Sequence, residues 1–113
     1  MMSVKEIDAT TLKEMMDNED ICLYDIRSPA EYEQGIIKGG ELTPPHTIPA
    51  KMYDFPKDKT IVFYCRSGAR SAQACMYVAE KAGIEALNLR GGIISWYQSG
   101  NDIVRPDKTE KTS

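Results

Sequence analysis

The feature that most constrains the fold is an apolar run followed at once by a polar loop and a helix-forming segment. Residues 61–64, Ile-Val-Phe-Tyr, are β-branched, aromatic and uncharged, which is typical of a strand buried on both faces. Residues 71–82 are rich in helix formers and stop before Gly83, a residue type common at helix ends. The loop between them holds Cys65. The pattern therefore predicts a strand, a tight turn and a helix in succession.

The position of Cys65 in this loop predicts a reactive thiol. Backbone N–H groups and the positive end of the helix dipole point into a loop that precedes a helix. The cations Arg66 and Arg70 favour the thiolate further, and Gly68 permits backbone conformations that a side chain would hinder. Because the thiolate is the nucleophile, Cys65 is a candidate for covalent catalysis. The ordinary alternative is a structural cysteine at a strand end.

The rest of the chain alternates strand-like and helix-like segments. The predicted strands are residues 4–7, 21–26, 41–42, 61–64 and 86–89. The predicted helices are residues 9–18, 29 to about 35, 71–82 and 93 to about 99, with a further helical turn at 50–53. On the helix at 71–82 we expect Ala72, Cys75, Met76 and Ala79 to face the sheet. Alternation of this kind predicts an α/β fold, a parallel sheet with helices on both faces.

Composition excludes several classes of function. The chain has 113 residues, which fit one domain, and its 14 basic and 17 acidic residues give a net charge of −3. This balance argues against a general binder of nucleic acid or of anionic membranes, and no apolar run is long enough to span a membrane. Residues 1–8 have no apolar signal-peptide core, and the three cysteines lack metal-like spacing. We therefore expect a cytoplasmic protein with reduced thiols.

Two charged residues end the second predicted strand, near the edge where Cys65 follows the fourth. Ligands of open α/β sheets bind outside the carboxyl ends of the strands, so Asp25 and Cys65 are expected at one rim. An anion beside a thiolate raises the thiol pKa, so we expect Asp25 to support the site rather than touch the substrate. A local ion pair between Asp25 and Arg27 is the simpler alternative. His46, the only histidine, lies among prolines and is expected to be exposed, which argues against a Cys–His hydrolase.

Three segments resemble the rhodanese family of sulfurtransferases. Residues 65–71, Cys-Arg-Ser-Gly-Ala-Arg-Ser, resemble its active-site loop. Residues 25–32, Asp-Ile-Arg-Ser-Pro-Ala-Glu-Tyr, are similar to its Asp-x-Arg-x-x-x-Glu-Tyr segment, and residues 91–96 are similar to its Gly-Gly-x-x-x-Trp segment. The resemblance covers about residues 3–100. The chain departs from the family at Ile36, which stands where the family usually has a histidine.

The resemblance implies a rhodanese-like fold of about five parallel strands, in a single domain at residues 1–100. Residues 101–113 are polar and charged, and we expect them to form a frayed tail. It implies that Cys65 carries a persulfide while Asp25 and Arg27 brace the site. The residues expected to bind the sulfur donor are Arg66, Ser67, Gly68, Ala69, Arg70 and Ser71. The donor is expected to be thiosulfate or a persulfide, and the acceptor cyanide, a small thiol or a sulfur-carrier protein. No metal or organic cofactor is required.

Loop length and cysteine spacing bear on the alternatives. Four residues separate Cys65 from Arg70, whereas the related cysteine phosphatases have five, so the shorter loop suits a sulfur atom better than a phosphate. A rhodanese-like module that binds a partner without catalysis is a second hypothesis. A thiol sensor is a third, weakened because Cys75 is placed about 15 Å along the helix axis, too far for a resolving cysteine.

Overall fold

The computed structural model describes residues 4–106, and these form one sheet with the strand order β1-β5-β4-β2-β3, all parallel. The strands are β1 (Glu6–Ile7), β2 (Ile21–Asp25), β3 (Glu41–Leu42), β4 (Thr60–Tyr64) and β5 (Ala86–Leu89). The helices are α1 (Ala9–Asn18), α2 (Pro29–Gln34), α3 (Ile48–Lys51), α4 (Ala69–Ala82) and α5 (Gly92–Gln98). The predicted α/β fold is confirmed.

Strand β4 lies at the centre of the sheet, paired with β2 on one side and β5 on the other. Its side chains alternate between two apolar clusters, as the pleat of a strand requires. Ile61 and Phe63 pack in the cluster that contains α3 and α4 residues, while Val62 and Tyr64 pack with residues of α1 and α5. The same alternation places Cys65 in the first cluster, so its thiol faces the α4 side of the sheet.

The N-termini of the first two helices follow from their capping residues. The Asp8 side chain accepts a hydrogen bond from the Thr11 N–H at 2.8 Å, and α1 has the predicted bounds. At α2, Ser28 and Glu31 form a reciprocal capping box with Pro29 in the first turn, the arrangement that satisfies N–H groups left unpaired at a helix start. These local signals were sufficient for both helices.

Helix α4 differs from the prediction at its start and in its buried face. It begins at Ala69 rather than residue 71, because Gly68 adopts the left-handed conformation with φ of 102°. Its buried residues are Ser71, Ala74, Cys75 and Val78. Met76 is 46% exposed, so its predicted burial is wrong. An apolar side chain one position from Cys75 lies about 100° around the helix, and composition alone does not identify the inward face.

The chain after α5 also differs from the prediction. Val104 and Ile36 exchange two backbone hydrogen bonds, at 2.8 and 2.9 Å, and Ile103 packs against the core. The Trp96 Nε1–H donates to the Asp102 carbonyl oxygen at 2.8 Å. The prediction that the chain frays from residue 101 is therefore wrong for residues 101–104. The apolar pair Ile103 and Val104 interrupts the polar sequence there. Residues 107–113 of the predicted tail lie outside the described residues.

None of the helices within residues 4–106 is both long and apolar enough to cross a bilayer.

Candidate active site

Several hydrogen-bond donors converge on the sulfur of Cys65. The Sγ accepts from the Gly68 N–H at 3.1 Å and the Ser71 N–H at 3.4 Å, and the Ser71 Oγ lies 3.3 Å away. Gly68 caps α4 and Ser71 lies in its first turn, so the sulfur also sits at the positive end of the helix. The fold therefore brings Cys65, Gly68 and Ser71 together, as the sequence predicted.

The start of α5 orients the first two peptide units of the loop. The Ile93 and Ile94 N–H groups donate to the carbonyl oxygens of Cys65 and Arg66, at 2.9 and 3.2 Å. The C=O and N–H of a peptide unit point in opposite directions, so the Arg66 carbonyl that faces α5 leaves the Ser67 N–H of the same peptide unit on the sulfur side. A Cβ at Gly92 would overlap both of these carbonyl oxygens. Glycine there lets α5 approach the loop closely.

These donors outweigh the effect of burial on the Cys65 thiol. Cys65 is only 1% exposed, and burial by itself raises the pKa of a thiol. Hydrogen bonds from the Ser71 hydroxyl and from the N–H groups of Ser71, Gly68 and Ser67 stabilise the thiolate, and the pKa of Cys65 falls below its usual value. Ser67 and Ala69 themselves have exposed side chains, so within the described structure the contribution of Ser67 comes from its backbone.

Cys75 lies in the same apolar cluster and behaves in the opposite way. It is 4% exposed, and its burial raises the pKa of its thiol to about 12, with smaller contributions from the charges of Glu6 and Cys65. The thiol form therefore dominates at neutral pH, and thiols in that form are poor nucleophiles. The expectation that Cys75 does not act as a resolving cysteine thus gains a second reason, independent of distance.

The two arginines of the loop have different environments. Arg70 makes a bidentate ion pair with Glu31, with Nη1–Oε1 and Nη2–Oε2 distances of 2.7 and 2.9 Å. The Arg70 hydrogen bonds, followed by those from Ser28, outweigh partial burial and lower the pKa of Glu31 to about 2. Arg66 is exposed, and within residues 4–106 its side chain makes no hydrogen bond or ion pair. Arg66 is thus the guanidinium free to meet an anion at the loop.

Asp25 and Arg27 form a buried ion pair beside the loop. The Arg27 Nε and Nη2 donate to the two Asp25 carboxylate oxygens at 2.7 and 2.6 Å, and Nη2 also donates to the Gly35 carbonyl oxygen at 2.7 Å. Asp25 is paired in register with Tyr64, the residue before Cys65. The pair therefore lies at the same sheet edge as the thiol but bonds to itself and to Gly35. The structure thus contains the local ion pair between Asp25 and Arg27, and a supporting role of the two residues in the reaction stays a prediction.

Sequence reasoning missed Asn88, a fully buried residue of β5. Its Oδ1 accepts from the Ser71 hydroxyl at 2.5 Å, and its Nδ2 donates to the Gly68 carbonyl oxygen at 3.1 Å and to Glu6 Oε2 at 2.9 Å. The sequence does contain a signal for this residue. Asn88 lies between two leucines in a strand predicted to be buried, and a buried amide requires hydrogen-bond partners.

The remaining candidates do not join the site. His46 is exposed, and no hydrogen bond between it and Cys65 is formed within the described structure. Residues 4–106 also contain no cluster of side chains able to hold a metal ion.

Comparisons with known proteins identify the family of this chain. The family model for a rhodanese-like domain matches residues 8–99. A sulfurtransferase from Allochromatium vinosum is 50% identical over 105 residues, which cover 92% of this chain and 98% of that protein. The thiosulfate sulfurtransferase GlpE of Pseudoalteromonas translucida is 30% identical over 95 residues, covering 84% and 90%.

A solved structure gives the same result. A rhodanese-related protein from Thermoplasma volcanium superimposes with a TM-score of 0.80 at 28% identity, covering 88% of this chain and 97% of that one. Both the family model and the relatives span nearly the whole chain, and the structural match extends over the sheet and its helices. The chain belongs to the rhodanese-like domain family.

Proposed function

We propose that this protein is a sulfurtransferase in which Cys65 carries the transferred sulfur. The Cys65 thiolate attacks the outer sulfur of a donor such as thiosulfate. A new S–S bond forms, the bond between the two donor sulfurs breaks, and sulfite leaves with the electron pair. The observation that carries this proposal is the convergence of the Gly68 and Ser71 donors on the sulfur, which favours a thiolate and hence a nucleophile.

The second half of the reaction returns the enzyme to its starting state. A thiophilic acceptor such as cyanide attacks the terminal sulfur of the persulfide, the S–S bond breaks, and thiocyanate leaves while Cys65 recovers its thiolate. The terminal sulfur is anionic, and N–H groups at the start of α4 suit an anion. The loop residues 66–71 are therefore proposed to hold the terminal sulfur in the resting persulfide.

We propose Arg66 as the main contact for the donor's sulfonate oxygens. A guanidinium suits an oxyanion, and Arg70 is already paired with Glu31. Substitution Arg66→Ala should raise KM for thiosulfate more than Arg70→Ala does. In Glu31→Gln the capping box is kept, since glutamine serves at this position, while the charge that holds Arg70 is removed. Because Arg70 is then released from its ion pair, this variant should lower KM for thiosulfate. An unchanged KM in all three variants would show that neither arginine binds the donor.

The burial of Cys65 limits which molecules reach it. Because the residue is 1% exposed, the loop must admit the outer sulfur of the donor, and compact reagents should react faster than bulky ones. An acceptor protein would then have to present an extended thiol rather than a flat surface. We propose a sulfur-carrier protein or a small thiol as the cellular acceptor, in the cytoplasm. The three free cysteines fit a reducing compartment.

The test is the intact mass of the reduced protein before and after thiosulfate, and again after cyanide. Addition of one sulfur corresponds to about 32 Da by elemental mass, and this gain should disappear with cyanide. Cys65→Ser should show no gain, while the matched variant Cys75→Ser should behave as the wild type. A gain in Cys65→Ser, or none in wild type with either thiosulfate or polysulfide, would reject the proposal.

The burial of Cys65 also favours a second candidate, a rhodanese-like module that binds a partner or senses thiols without turnover. The two candidates differ in one outcome. A non-catalytic module would be alkylated stoichiometrically at Cys65 but would form no persulfide that an acceptor can remove.

A further inference from the structure

We propose that Asn88 is a positioning residue that holds the Ser71 hydroxyl proton while Cys65 is a thiol and releases it when Cys65 becomes a thiolate. Asn88 touches neither sulfur nor donor, so it acts through Ser71 and Gly68. Its relevance to sulfur transfer rests on the proposed function, but its effect on Cys65 can be measured without any transfer.

The orientation of the Asn88 amide is fixed by its partners. The Nδ2 group donates to the Gly68 carbonyl oxygen and to the Glu6 carboxylate, and both of these atoms only accept hydrogen bonds. The reversed amide would place an oxygen against two acceptors in a fully buried position, which is costly. The Oδ1 atom must therefore face Ser71, and the Ser71 hydroxyl must be the donor in that contact.

The Ser71 hydroxyl then has one proton and two acceptors. Its oxygen lies 2.5 Å from Asn88 Oδ1 and 3.3 Å from Cys65 Sγ. Since Asn88 Oδ1 has no proton to give, the shorter contact contains the Ser71 proton, and an oxygen lone pair faces the sulfur. This arrangement is complete when Cys65 carries its own proton, which can point at the Ser71 oxygen.

Ionisation of Cys65 reverses the arrangement. The thiol proton leaves to solvent, and the sulfur becomes a pure acceptor that a lone pair would repel. The Ser71 O–H bond rotates from Asn88 to Sγ, so Ser71 keeps its proton and no covalent bond between heavy atoms changes. The Asn88 carbonyl loses its donor in this state. Asn88 Oδ1 thus competes with the sulfur for the Ser71 proton. Asn88 Nδ2 meanwhile donates to the carbonyl oxygen of Gly68, the residue whose own N–H faces Sγ.

Other charged groups face this network and must be separated from it. Glu6 of β1 is bonded directly to Asn88, and Cys75 and Arg70 of α4 interact electrostatically with Cys65. Asp25 of β2 is bound to Arg27. Glu6 is the titratable group in contact with the Asn88 amide, so a variant of Glu6 is the required control.

The test follows the side-chain amide resonances of Asn88 by NMR across pH, in parallel with the alkylation rate of Cys65. In the wild type and in Glu6→Gln, the Asn88 resonances should shift with the same midpoint as alkylation. In Ser71→Ala, most of that shift should be lost because no hydroxyl remains to rotate. An Asn88 signal that does not titrate with Cys65, or one that titrates undiminished in Ser71→Ala, would overturn the proposal.

The alkylation kinetics of a variant of Asn88 give a second measurement. Asn88→Asp keeps an acceptor for Ser71, adds a charge near the thiolate and removes the donor to Gly68. Its alkylation midpoint should move to higher pH, with the rate at pH 7 falling about tenfold. Asn18→Asp adds the same charge at the exposed end of α1 and should leave the profile unchanged. A folded Asn88→Asp with the wild-type profile would contradict the proposal, and if this variant does not fold the NMR titration decides. Titration of Asn88 in a protein that forms no persulfide would reject only the proposed transfer.

Discussion

Cys65 and Cys75 are two cysteines of one apolar cluster with opposite chemistry. They are 1% and 4% exposed, so accessibility does not separate them. Hydrogen bonds from the Ser71 hydroxyl and three backbone N–H groups lower the pKa of Cys65 despite its burial. Burial, with smaller contributions from the charges of Glu6 and Cys65, raises the pKa of Cys75 to about 12. The placement of donors, rather than exposure, therefore decides which thiol is nucleophilic.

The contrast originates in where the two cysteines lie relative to α4. Cys65 precedes the helix, where N–H groups lack partners within the helix, whereas Cys75 lies inside it, where backbone donors are already used. The loop adds the Ser67 N–H, whose peptide carbonyl is bound by α5. Comparable burial is thus accompanied by a lowered thiol pKa at one position and a raised thiol pKa ten residues later.

Replacement of each cysteine by serine should give the largest effect, because persulfide formation should be lost in one variant and kept in the other. Cys65→Ser is expected to abolish persulfide formation, since serine offers no thiolate, whereas Cys75→Ser is expected to retain it. Thiosulfate-dependent formation of thiocyanate measures both variants, and thermal unfolding verifies that each is folded. An active Cys65→Ser protein would contradict the assignment of the nucleophile.

Gly68→Ala should remove the geometry that distinguishes Cys65. Its φ is 102°, and an added Cβ would lie 3.3 Å from the Gly91 nitrogen and 3.4 Å from the Leu89 oxygen. We expect a loss of about 1–3 kcal/mol in the free energy of unfolding from backbone strain, with slower alkylation of Cys65. Denaturant unfolding and alkylation kinetics measure the two effects.

The matched control for that change is Gly83→Ala. Gly83 is also left-handed, with φ of 67°, but a Cβ there meets nothing within 4 Å. This variant should lose stability while its Cys65 reacts at the wild-type rate. Equal loss of reactivity in both variants would mean that general destabilisation, and not loop geometry, controls the thiol.

Alkaline pH should reveal the buried thiol of Cys75 through stability. Its pKa is about 12 in the folded state against 9.0 for the ordinary thiol, so the folded state retains a proton that the unfolded state loses above pH 9. The stabilisation is complete below pH 9 and should decline by about 1.4 kcal/mol per pH unit between pH 9 and 12. Urea unfolding of wild type and Cys75→Ala across this range isolates the effect; parallel curves would contradict it.

Ser71→Ala should give the smallest change, confined to Cys65. The Ser71 hydroxyl is the first of the interactions that lower the Cys65 pKa, so its loss moves the alkylation midpoint to higher pH. The rate at pH 7 should fall about three- to tenfold, because the greater nucleophilicity of a more basic thiolate offsets part of the smaller thiolate fraction. Stopped-flow alkylation measures this, and an unchanged profile would remove the hydroxyl from the account.

Local sequence signals predicted the elements of this fold well. Asp8 and the Ser28–Glu31 box determine helix starts through contacts three residues apart, and the bounds of α1 follow directly. The strand–loop–helix segment around Cys65 could also be predicted, since its polarity changes abruptly. Strand order could not, because it depends on how separate βα units pack across the sheet.

The parts of the site that sequence did not reveal depend on distant contacts. Arg70 meets Glu31 across 39 positions, and Asn88 meets Ser71 across 17. Neither spacing has a local signature, so the sequence predicts Arg70 and Arg66 alike as ligands of the sulfur donor. In the structure Arg70 is paired with Glu31, whereas the Arg66 side chain makes no hydrogen bond or ion pair within residues 4–106. Residues 101–104 were predicted to fray because their polarity was averaged with the tail, whereas the Ile36–Val104 pairing depends on one apolar pair.

The most direct test of the central claim is the pH dependence of alkylation at Cys65 and Cys75 in the wild-type protein, read by mass spectrometry of the two peptides. The account predicts that Cys65 is labelled with a midpoint below that of an ordinary thiol and that Cys75 stays unlabelled until the protein unfolds. Labelling of Cys65 with an ordinary or higher midpoint, or of both cysteines together, would contradict it.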